Sequence, residues 1–216
     1  MMARSYGMTE LYRELPNRPV SHSSRHQASA IKTVAFTGHR PEKLPWGNDE
    51  ASSDALIYKF RLRETLEYLI GQGYVNFLSG GARGFDTIAA EMVISLREVY
   101  PWIRLMMVLP CADQADRWNL EDRKRWENIV VNSDHVETLT PVYDRGCMFR
   151  RNRYLVDHSD LILAAYDGYS NGGTAMTLEY AHRKGRKVRR LSFDGKHEYR
   201  SERSCIYGKD VQEECN

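Results

Sequence analysis

The chain has 216 residues, of which 42% are hydrophobic and 28% charged, and 31 basic against 29 acidic side chains leave a formal net charge of +2. These values are typical of one globular domain and exclude collagen-like, disordered and membrane-spanning classes, because no apolar run approaches the roughly 18 residues of a spanning helix. A charge this small also makes nucleic-acid binding an unlikely general function, since that needs a clearly basic face. The first thirty residues lack the apolar stretch of a signal peptide, so we expect a cytoplasmic protein without a membrane anchor.

One domain flanked by two polar extensions is predicted. Residues 1–31 and 194–216 show little periodic hydrophobicity. Between them, over residues 32–193, short apolar runs alternate with longer segments of helical period. This alternation is typical of successive βα units and predicts an α/β fold with a mostly parallel sheet.

The predicted elements follow one another in strict alternation. Strands are expected at 33–37, 74–78, 103–109, 135–139, 161–166 and 187–191, and helices at about 54–70, 88–96, 120–131, 147–156 and 173–183. The first helix carries an apolar set that we assign to one broad face: Leu56, Phe60, Leu62, Leu66, Leu69 and Ile70. Ligands of such sheets bind beyond the carboxyl ends of the strands, so the turns at that edge are the candidate site.

The first of these turns follows the opening strand. It places a hydroxyl, a flexible glycine, an imidazole and a guanidinium at the carboxyl edge, in Thr37, Gly38, His39 and Arg40. Arg40 is the preferred charge partner for a phosphate. The nearby Trp46 either stacks on a base or covers the edge of the core, and the sequence does not separate these two roles.

A glycine-rich turn, GGARGFD at 80–86, lies between the second strand and the second helix. Its glycines allow backbone N–H groups to approach a phosphate, and Arg83 offers a direct charge contact. The turn lacks the ending of a Walker A loop and the spacing of a dinucleotide fingerprint. The phosphate-binding set predicted here is Gly80, Gly81, Ala82, Arg83, Gly84 and Asp86. The alternative is a turn that only lets strand and helix pack closely.

A second glycine turn, NGGT at 171–174, opens the last helix at the same edge. Two phosphate-competent turns in one domain indicate a nucleotide-like ligand. We predict ligand contacts from Asn171, Gly172, Gly173 and Thr174. Glu179 is either a solvated surface residue or a cleft carboxylate that binds a ribose hydroxyl or acts as a base. Asp167 is equally suited to forming the preceding turn or to binding ribose.

The remaining polar segments give weaker indications. The four cysteines show no metal-ligand spacing, so no metal site is predicted, and Cys111 lacks a partner base and is expected to be a buried spectator. The arginine-rich segment 143–153 would either cap a phosphate or lie at an oligomer contact. The basic residues of 183–190 are expected to be split between strand faces and solvated rather than to form a polyanion groove.

Several segments together resemble the YpsA-like branch of the SLOG superfamily, Rossmann-like proteins related to the LOG phosphoribohydrolases and to DprA. They are AFTGHRPEKLPWG at 35–47, FLSGGARGFDTIAAE at 77–91, VLPCADQADRWN at 108–119, GCMFRRNRYLVDHSDLILAAYDG at 146–168 and NGGTAMTLEYA at 171–181. The resemblance implies a single Rossmann-like, doubly wound domain that binds a nucleotide or a nucleotide-derived ligand. It assigns Gly80, Gly81, Gly84 and Asp86 to the phosphate loop and Gly172, Gly173 and Glu179 to the facing turn.

The resemblance also bears on catalysis. LOG enzymes carry the pattern PGGxGTxxE and cleave an N-glycosidic bond of nucleoside monophosphates. In this chain Glu179 keeps its place, whereas Asn171, Ala175 and Met176 replace the proline, the third glycine and the threonine. These departures argue against a hydrolase.

Three functions are therefore compared. The first is binding or sensing of an ADP-ribose-like ligand without turnover and without a required cofactor. The second is N-glycosidic hydrolysis with Glu179 or Asp86 activating water. The third is single-stranded DNA binding through the 183–190 cluster, which we rank last because the net charge is nearly neutral. A homodimer is expected because related domains commonly dimerise.

Overall fold

A computed structural model describes residues 31–169 and 171–194. Within this part of the chain, strands and helices alternate as the sequence predicts. The strands are β1 (Lys32–Gly38), β2 (Tyr74–Ser79), β3 (Arg104–Leu109), β4 (His135–Thr138), β5 (Leu161–Ala165) and β6 (Lys187–Leu191). The helices are α1 (Ser53–Gly71), α2 (Phe85–Leu96), α3 (Leu120–Val131), α4 (Cys147–Asp157) and α5 (Gly173–Arg183).

All strand pairs are parallel, and the six strands form one sheet in the order β4-β3-β2-β1-β5-β6. The strand β5, which lies between β1 and β6, reads LILAA and is buried along its whole length, as expected of a strand covered on both faces. The α/β prediction and the Rossmann-like arrangement are thus confirmed.

Two helical layers cover the sheet. Residues of α1, α2 and α3 share one apolar cluster, and residues of α4 and α5 share the other. Right-handed crossovers produce this division, because the strand order runs outward from β1 to β4 and then reverses to β5 and β6 on the other side. The reversal lies between β1 and β5, and the crevice outside the carboxyl ends of such strands is where open α/β sheets bind ligands.

The helix N-termini at this carboxyl edge are of two kinds. Helices α1 and α3 are capped by polar side chains, since Ser52 accepts from the Ala55 N–H and Asn119 from the Asp122 N–H. Helices α2, α4 and α5 follow a glycine and have no side-chain cap. The glycine-capped helices therefore carry the N-termini that can receive other acceptors.

The apolar face assigned to α1 is partly wrong. Leu62, Leu66 and Leu69 are buried, but Leu56 and Phe60 are 55% and 61% exposed. The physical reason is the helical turn of about 100° per residue, which places Phe60 roughly opposite Leu62. Tyr58, one turn before Leu62, occupies the buried position instead.

The predicted extensions, 1–31 and 194–216, fall almost entirely outside the described residues and remain predictions. In the residues that are described, no helix has the length and apolarity required to cross a membrane.

Candidate functional site

The β2–α2 turn contains its own anion. The Asp86 carboxylate lies inside the turn, with its Oδ2 3.5 Å from the Ala82 N–H donor. The Ser79 hydroxyl accepts from the Gly81 N–H at 3.2 Å and donates to the Asp86 carbonyl at 3.0 Å. Backbone donors that the sequence assigns to a phosphate therefore have acceptors within the chain.

Arg151 of α4 packs against this turn at Gly80 and Asp86. Its Nη1 lies 3.5 Å from the Asp86 Oδ2, and both residues are only 5% exposed. A Cβ on Gly80 would lie 1.5 Å from the same Nη1, so glycine is required here to admit the guanidinium. The glycine at position 80 thus makes room for a protein side chain.

Burial controls the titration of this pair. Loss of solvent raises the pKa of Asp86 above its ordinary value, against the attraction of Arg151 and Arg40 and the hydrogen bond from Ala82. Burial likewise lowers the pKa of Arg151, opposed by the charge of Asp86. Among the described residues, the Arg151 Nη1 makes the ion pair with Asp86 but no hydrogen bond.

The far side of the same turn is closed by residues after β3. Gln114 Nε2 donates to the Gly81 carbonyl at 2.8 Å and approaches the Gly80 carbonyl at 3.4 Å. Gly81 has a φ of +61° and packs against Met107 and Trp126. The first glycine turn is therefore enclosed on both sides.

Arg83 is occupied by carboxylates. Its Nε lies 2.6 Å from the Asp122 Oδ2 and its Nη1 lies 3.2 Å from the Glu42 Oε1. The structure thus ties Arg83 to α3 and to the β1–α1 turn, and the phosphate contact predicted for it stays a prediction.

The end of β1 joins the central strands. The His39 N–H donates to the Ala165 carbonyl at 3.1 Å, and His39 Nε2 lies 3.3 Å from the Asp167 Oδ1 and 3.4 Å from the Asp167 backbone nitrogen. The His39 ring is 3% exposed and stacks on Phe193. Thr37 is buried beside it, and a Cβ on Gly38 would lie 2.6 Å from Phe85.

The aromatic residues here complete the core edge. Trp46 packs against Tyr58 at 5.0 Å and against Phe193 at 5.9 Å between ring centroids, and it is 9% exposed. Of the two roles open to Trp46, covering the core edge is the one that these contacts favour.

Arg40 is the exposed cation of this edge. Its charge reaches Asp86 and Arg151, because it shifts the pKa of both groups. Its guanidinium has no carboxylate partner in the described part of the chain, which distinguishes it from the ion-paired Arg83.

The β5–α5 turn is open. Asn171, Gly172 and Gly173 are exposed, and Gly172 has a φ of +142°. The first bond of the helix runs from the Met176 N–H to the Gly172 carbonyl, and the N–H groups that precede it lack a side-chain cap. These are the N–H groups of Gly173, Thr174 and Ala175.

Side chains hold the open turn against the first strand. The Thr174 hydroxyl donates to the Gly38 carbonyl at 3.0 Å, and Lys43 Nζ donates to the Asn171 carbonyl at 2.9 Å. Lys43 Nζ would lie 3.8 Å from a Cβ on Gly172. An ammonium group therefore flanks a helix N-terminus that has no side-chain cap.

Glu179 is not brought into either turn. Its side chain is 53% exposed and its Oε1 lies 3.1 Å from the Arg183 Nη1, one turn further along α5. This placement corresponds to the solvated alternative, although a role in catalysis is not tested.

Two residues of α4 link the glycine turns. The sequence analysis placed them only in the arginine-rich segment with two open roles and did not predict these contacts. Arg151 lies over Gly80, while the neighbouring Asn152 has its Nδ2 3.8 Å from the Cβ position of Gly173. Asn152 Oδ1 accepts from the Arg151 Nε at 2.9 Å. A usable signal is present in the sequence, because Arg151 is one turn from buried Cys147 and one turn from buried Leu155 and so interrupts an apolar stripe.

The expectation for Cys111 is confirmed as regards burial. Cys111 and Cys147 are both fully buried, and burial with hydrogen bonds to Asp113 and Cys147 raises the pKa of the Cys111 thiol to about 12. A thiol this weakly acidic is a poor nucleophile at neutral pH. Within the described residues, no three His, Cys, Asp or Glu side chains are grouped so that they could hold a metal.

The basic residues of 183–190 are divided among separate partners. Arg183 pairs with Glu179, Lys184 with Asp157, and Arg189 lies 5.0 Å from the Tyr68 ring centroid on α1. Arg186 donates to the Asp157 carbonyl at 2.9 Å. Arg183, Lys184, Arg186 and Arg189 therefore each have a partner within the chain.

The parallel sheet, its reversal between β1 and β5 and the glycine turns at that edge define a Rossmann-like protein of nucleotide-related function. The sequence model of YpsA, described as the YspA SLOG family, matches residues 34–194. The chain belongs to this family, which confirms the resemblance.

Relatives in Bacillus cover most of the domain. A UPF0398 protein of Bacillus pumilus (strain SAFR-032) is 32% identical over 154 residues, which are 70% of this chain and 82% of the relative. UPF0398 proteins of Bacillus thuringiensis (strain Al Hakam) and Bacillus cereus (strain AH187) are each 29% identical over 158 residues, 72% of this chain and 85% of each relative. These names specify no ligand.

Proposed function

We propose that the protein binds a nucleotide-derived ligand of the ADP-ribose type and holds its phosphates at the N-terminus of α5. The observation that carries this proposal is the exposed turn, in which the N–H groups of Gly173, Thr174 and Ala175 have no side-chain cap and Lys43 lies beside them. Free N–H groups and the positive end of a helix dipole favour a bound anion.

Two guanidinium groups supply further positive charge. Arg40 is exposed and lacks a carboxylate partner in the described residues, and the buried Arg151 adds a second guanidinium charge, which is shared with Asp86. Arginine suits phosphate because its planar fork donates two parallel hydrogen bonds. Both residues adjoin the reversal point between β1 and β5, where the fold favours a ligand.

The first glycine turn has a different part in this proposal. The Asp86 carboxylate already occupies the acceptor position near the Ala82 N–H, and a phosphate there would meet a like charge. The turn from Gly80 to Gly84 instead holds Arg151 in place for the ligand. Asp167, which follows β5, would accept hydrogen bonds from ribose hydroxyls.

Binding without turnover is favoured over hydrolysis. A general base must be within hydrogen-bond reach of the water it activates, about 2.6–3.2 Å. Glu179 is turned to solvent and paired with Arg183, and Asp86 is buried beneath Arg151. Neither carboxylate faces the open turn, so the proposed role is that of a binding or sensing protein that needs no separate cofactor.

The test uses a matched pair of glycine variants. Gly173→Asp adds a carboxylate at the open N-terminus, where a Cβ meets only the Asn152 Nδ2 at 3.8 Å. Gly71→Asp, the control, adds the same group at the far end of α1, where nothing lies within 4 Å of the Cβ. Affinity for ADP-ribose, ADP, AMP and NAD is measured by isothermal titration calorimetry, and native mass spectrometry follows the masses of complex and products.

We expect Gly173→Asp to weaken binding at least about tenfold while its melting temperature is maintained, because acidic residues are favourable in the first turn of a helix. Gly71→Asp should bind as the unaltered protein does. Equal nucleotide affinity in the two variants would contradict phosphate binding at the N-terminus of α5. Release of free base from any nucleotide would show turnover and overturn the binding-only role.

A further inference from the structure

A pocket of about 200 Å³ lies between the N-terminal halves of α4 and α5. Its walls combine apolar, aromatic and cationic side chains, and it reaches the open glycine turn at Gly173. The lining residues that matter here are Arg145, Met148, Phe149, Arg153, Met176 and Tyr180. The pocket and the proposed phosphate site thus share one residue and one edge of the sheet.

The shape and size of the pocket limit what it can hold. Pockets that enclose a whole drug-sized ligand measure roughly 300–1,000 Å³. A pocket of about 200 Å³ is smaller than this range and suits one ring system of a larger molecule. The remainder of such a ligand would extend from the pocket past Gly173.

The walls favour a flat aromatic group. The Arg153 guanidinium lies 4.9 Å from the Tyr180 ring centroid and 5.6 Å from the Phe149 ring centroid. Guanidinium planes and aromatic rings stack on nucleobases, and methionine adapts to fill the remaining space. Phe149 and Met176 are 42% and 52% exposed, so their apolar surfaces are accessible to a ligand in the pocket.

The polar groups of the pocket favour a ligand that carries several hydrogen-bond acceptors. Arg145 and Arg153 have no carboxylate partner in the described part of the chain, and no Asp or Glu lines the pocket. The Tyr180 hydroxyl is already bound to the Asp157 carboxylate at 3.0 Å. Asn152 Oδ1 accepts from Arg151, so the amide nitrogen is the free end of that side chain. The ring nitrogens and carbonyl oxygens of a base match such donors.

We propose that this pocket is the base subsite, which receives the nucleobase of the ligand whose phosphates bind at the N-terminus of α5. The inference rests on the proposed function, because the base must be linked to a phosphate group held near Gly173. It assigns the choice of base to α4 and α5, and in particular to Phe149, Arg153 and Met176.

The experiment compares a probe with a base and probes without one. The full chain is titrated with ADP, with ribose 5-phosphate and with pyrophosphate, as the unaltered protein and as the variants Phe149→Ala and Met176→Ala. Phe60→Ala is the matched control, because Phe60 is a similarly exposed aromatic residue on α1, on the opposite layer. Melting temperatures check that each variant folds.

A second readout needs no substitution. Methyl NMR of methionine-labelled protein reports Met148 and Met176 in the pocket, while the buried Met107 serves as an internal reference. We expect ADP to shift the Met148 and Met176 signals and to show contacts from the base protons to these methyl groups. Pyrophosphate should leave the two signals nearly unchanged.

The outcomes separate the two proposals. We expect Phe149→Ala to weaken ADP binding about tenfold or more, since one stacked aromatic contributes that order of affinity for a base, with pyrophosphate affinity unchanged. ADP binding that is the same in Phe149→Ala, Met176→Ala and Phe60→Ala would overturn the base subsite and leave the phosphate site standing. Failure of both ADP and pyrophosphate to bind the unaltered protein would overturn the proposed function and the subsite together.

Discussion

The two glycine turns at the carboxyl edge have similar sequences and opposite environments. In the β2–α2 turn, Gly80, Gly81 and Gly84 are buried, and the Asp86 carboxylate and the Ser79 hydroxyl serve the backbone donors. In the β5–α5 turn, Gly172 and Gly173 are exposed and the helix begins without a cap. A glycine-rich turn before a helix can therefore be either filled by the protein or available to a ligand.

The glycines serve different physical purposes in the two turns. Gly80 is required because Arg151 lies where its Cβ would be, and Gly84 because a Cβ would lie 2.5 Å from the His39 carbonyl oxygen. Around Gly173 the nearest atom to a Cβ is 3.8 Å away. Close packing explains the first set, whereas access to the backbone is what the second turn provides.

The largest effect is expected from separating the buried ion pair. Arg151→Ala leaves Asp86 buried without its charge partner, and we expect the free energy of unfolding to fall by about 3–5 kcal/mol, as for other buried pairs that lose one member. Urea denaturation followed by circular dichroism measures this loss. The double variant Asp86→Asn with Arg151→Met should recover most of it, and a loss below about 1 kcal/mol in Arg151→Ala would show that the first turn does not depend on the pair.

A paired alanine substitution compares the turns directly. Gly81→Ala should lower the free energy of unfolding by about 1–3 kcal/mol, because Gly81 has a left-handed φ and its Cβ would lie 2.7 Å from the Met107 methyl group. Gly173→Ala should be neutral or stabilising by up to about 1 kcal/mol, since alanine restricts the unfolded chain. Thermal unfolding of both variants tests the contrast, and equal losses would contradict it.

A pH dependence of stability is expected from the β2–α2 turn, which contains the buried Asp86. Because the folded-state pKa of Asp86 is raised above the ordinary value of 3.8, the native state binds the proton more tightly than the unfolded chain does. Stability from this group therefore increases as the pH falls from above the raised pKa towards 3.8 and is lost as the pH rises. As the pH falls over that interval, the free energy of unfolding of the unaltered protein should increase relative to that of Asp86→Asn. A difference that does not change with pH would contradict the shift.

The smallest effect is expected at Glu179. Its ion pair with Arg183 is exposed, and pairs of this kind contribute about 0.3–0.5 kcal/mol. Glu179→Gln should change stability by no more than this and should leave ADP-ribose affinity unchanged. Loss of nucleotide cleavage in this variant, if the unaltered protein cleaves, would return Glu179 to the site.

The elements were predictable because each one leaves a local signal. The run LILAA marks a strand buried on both faces, and the predicted helix at 173–183 coincides with α5. The face of α1 was predicted less well, since Leu56 and Phe60 are apolar yet exposed, and apolar character alone does not reveal which side of a helix is covered.

The candidate site was predictable in part. Both glycine turns and the β1 end were located from their residues, and their shared position at one sheet edge follows from parallel βα units. Arg151 and Asn152 were placed only in a segment that would cap a phosphate or lie at an oligomer contact. Their contacts with Gly80 and Gly173 were not predicted, because these residues are distant in the chain. For Arg83 the sequence predicted a phosphate contact, because it is a cation in a glycine turn. The sequence did not reveal that Asp122 and Glu42 pair with it.

The amino-acid sequence by itself determined the order of the strands and helices, the family and the places where the backbone can turn through glycine, because these depend on local periodicity and residue type. Only the tertiary structure decided which turn is filled and which is open. That outcome depends on where α4 lies across the sheet, with Arg151 placed over one turn and Asn152 beside the other. Local sequence can mark a side chain such as Arg151, but it does not show which distant residues a crossover brings next to it, and those contacts decide where a ligand can bind.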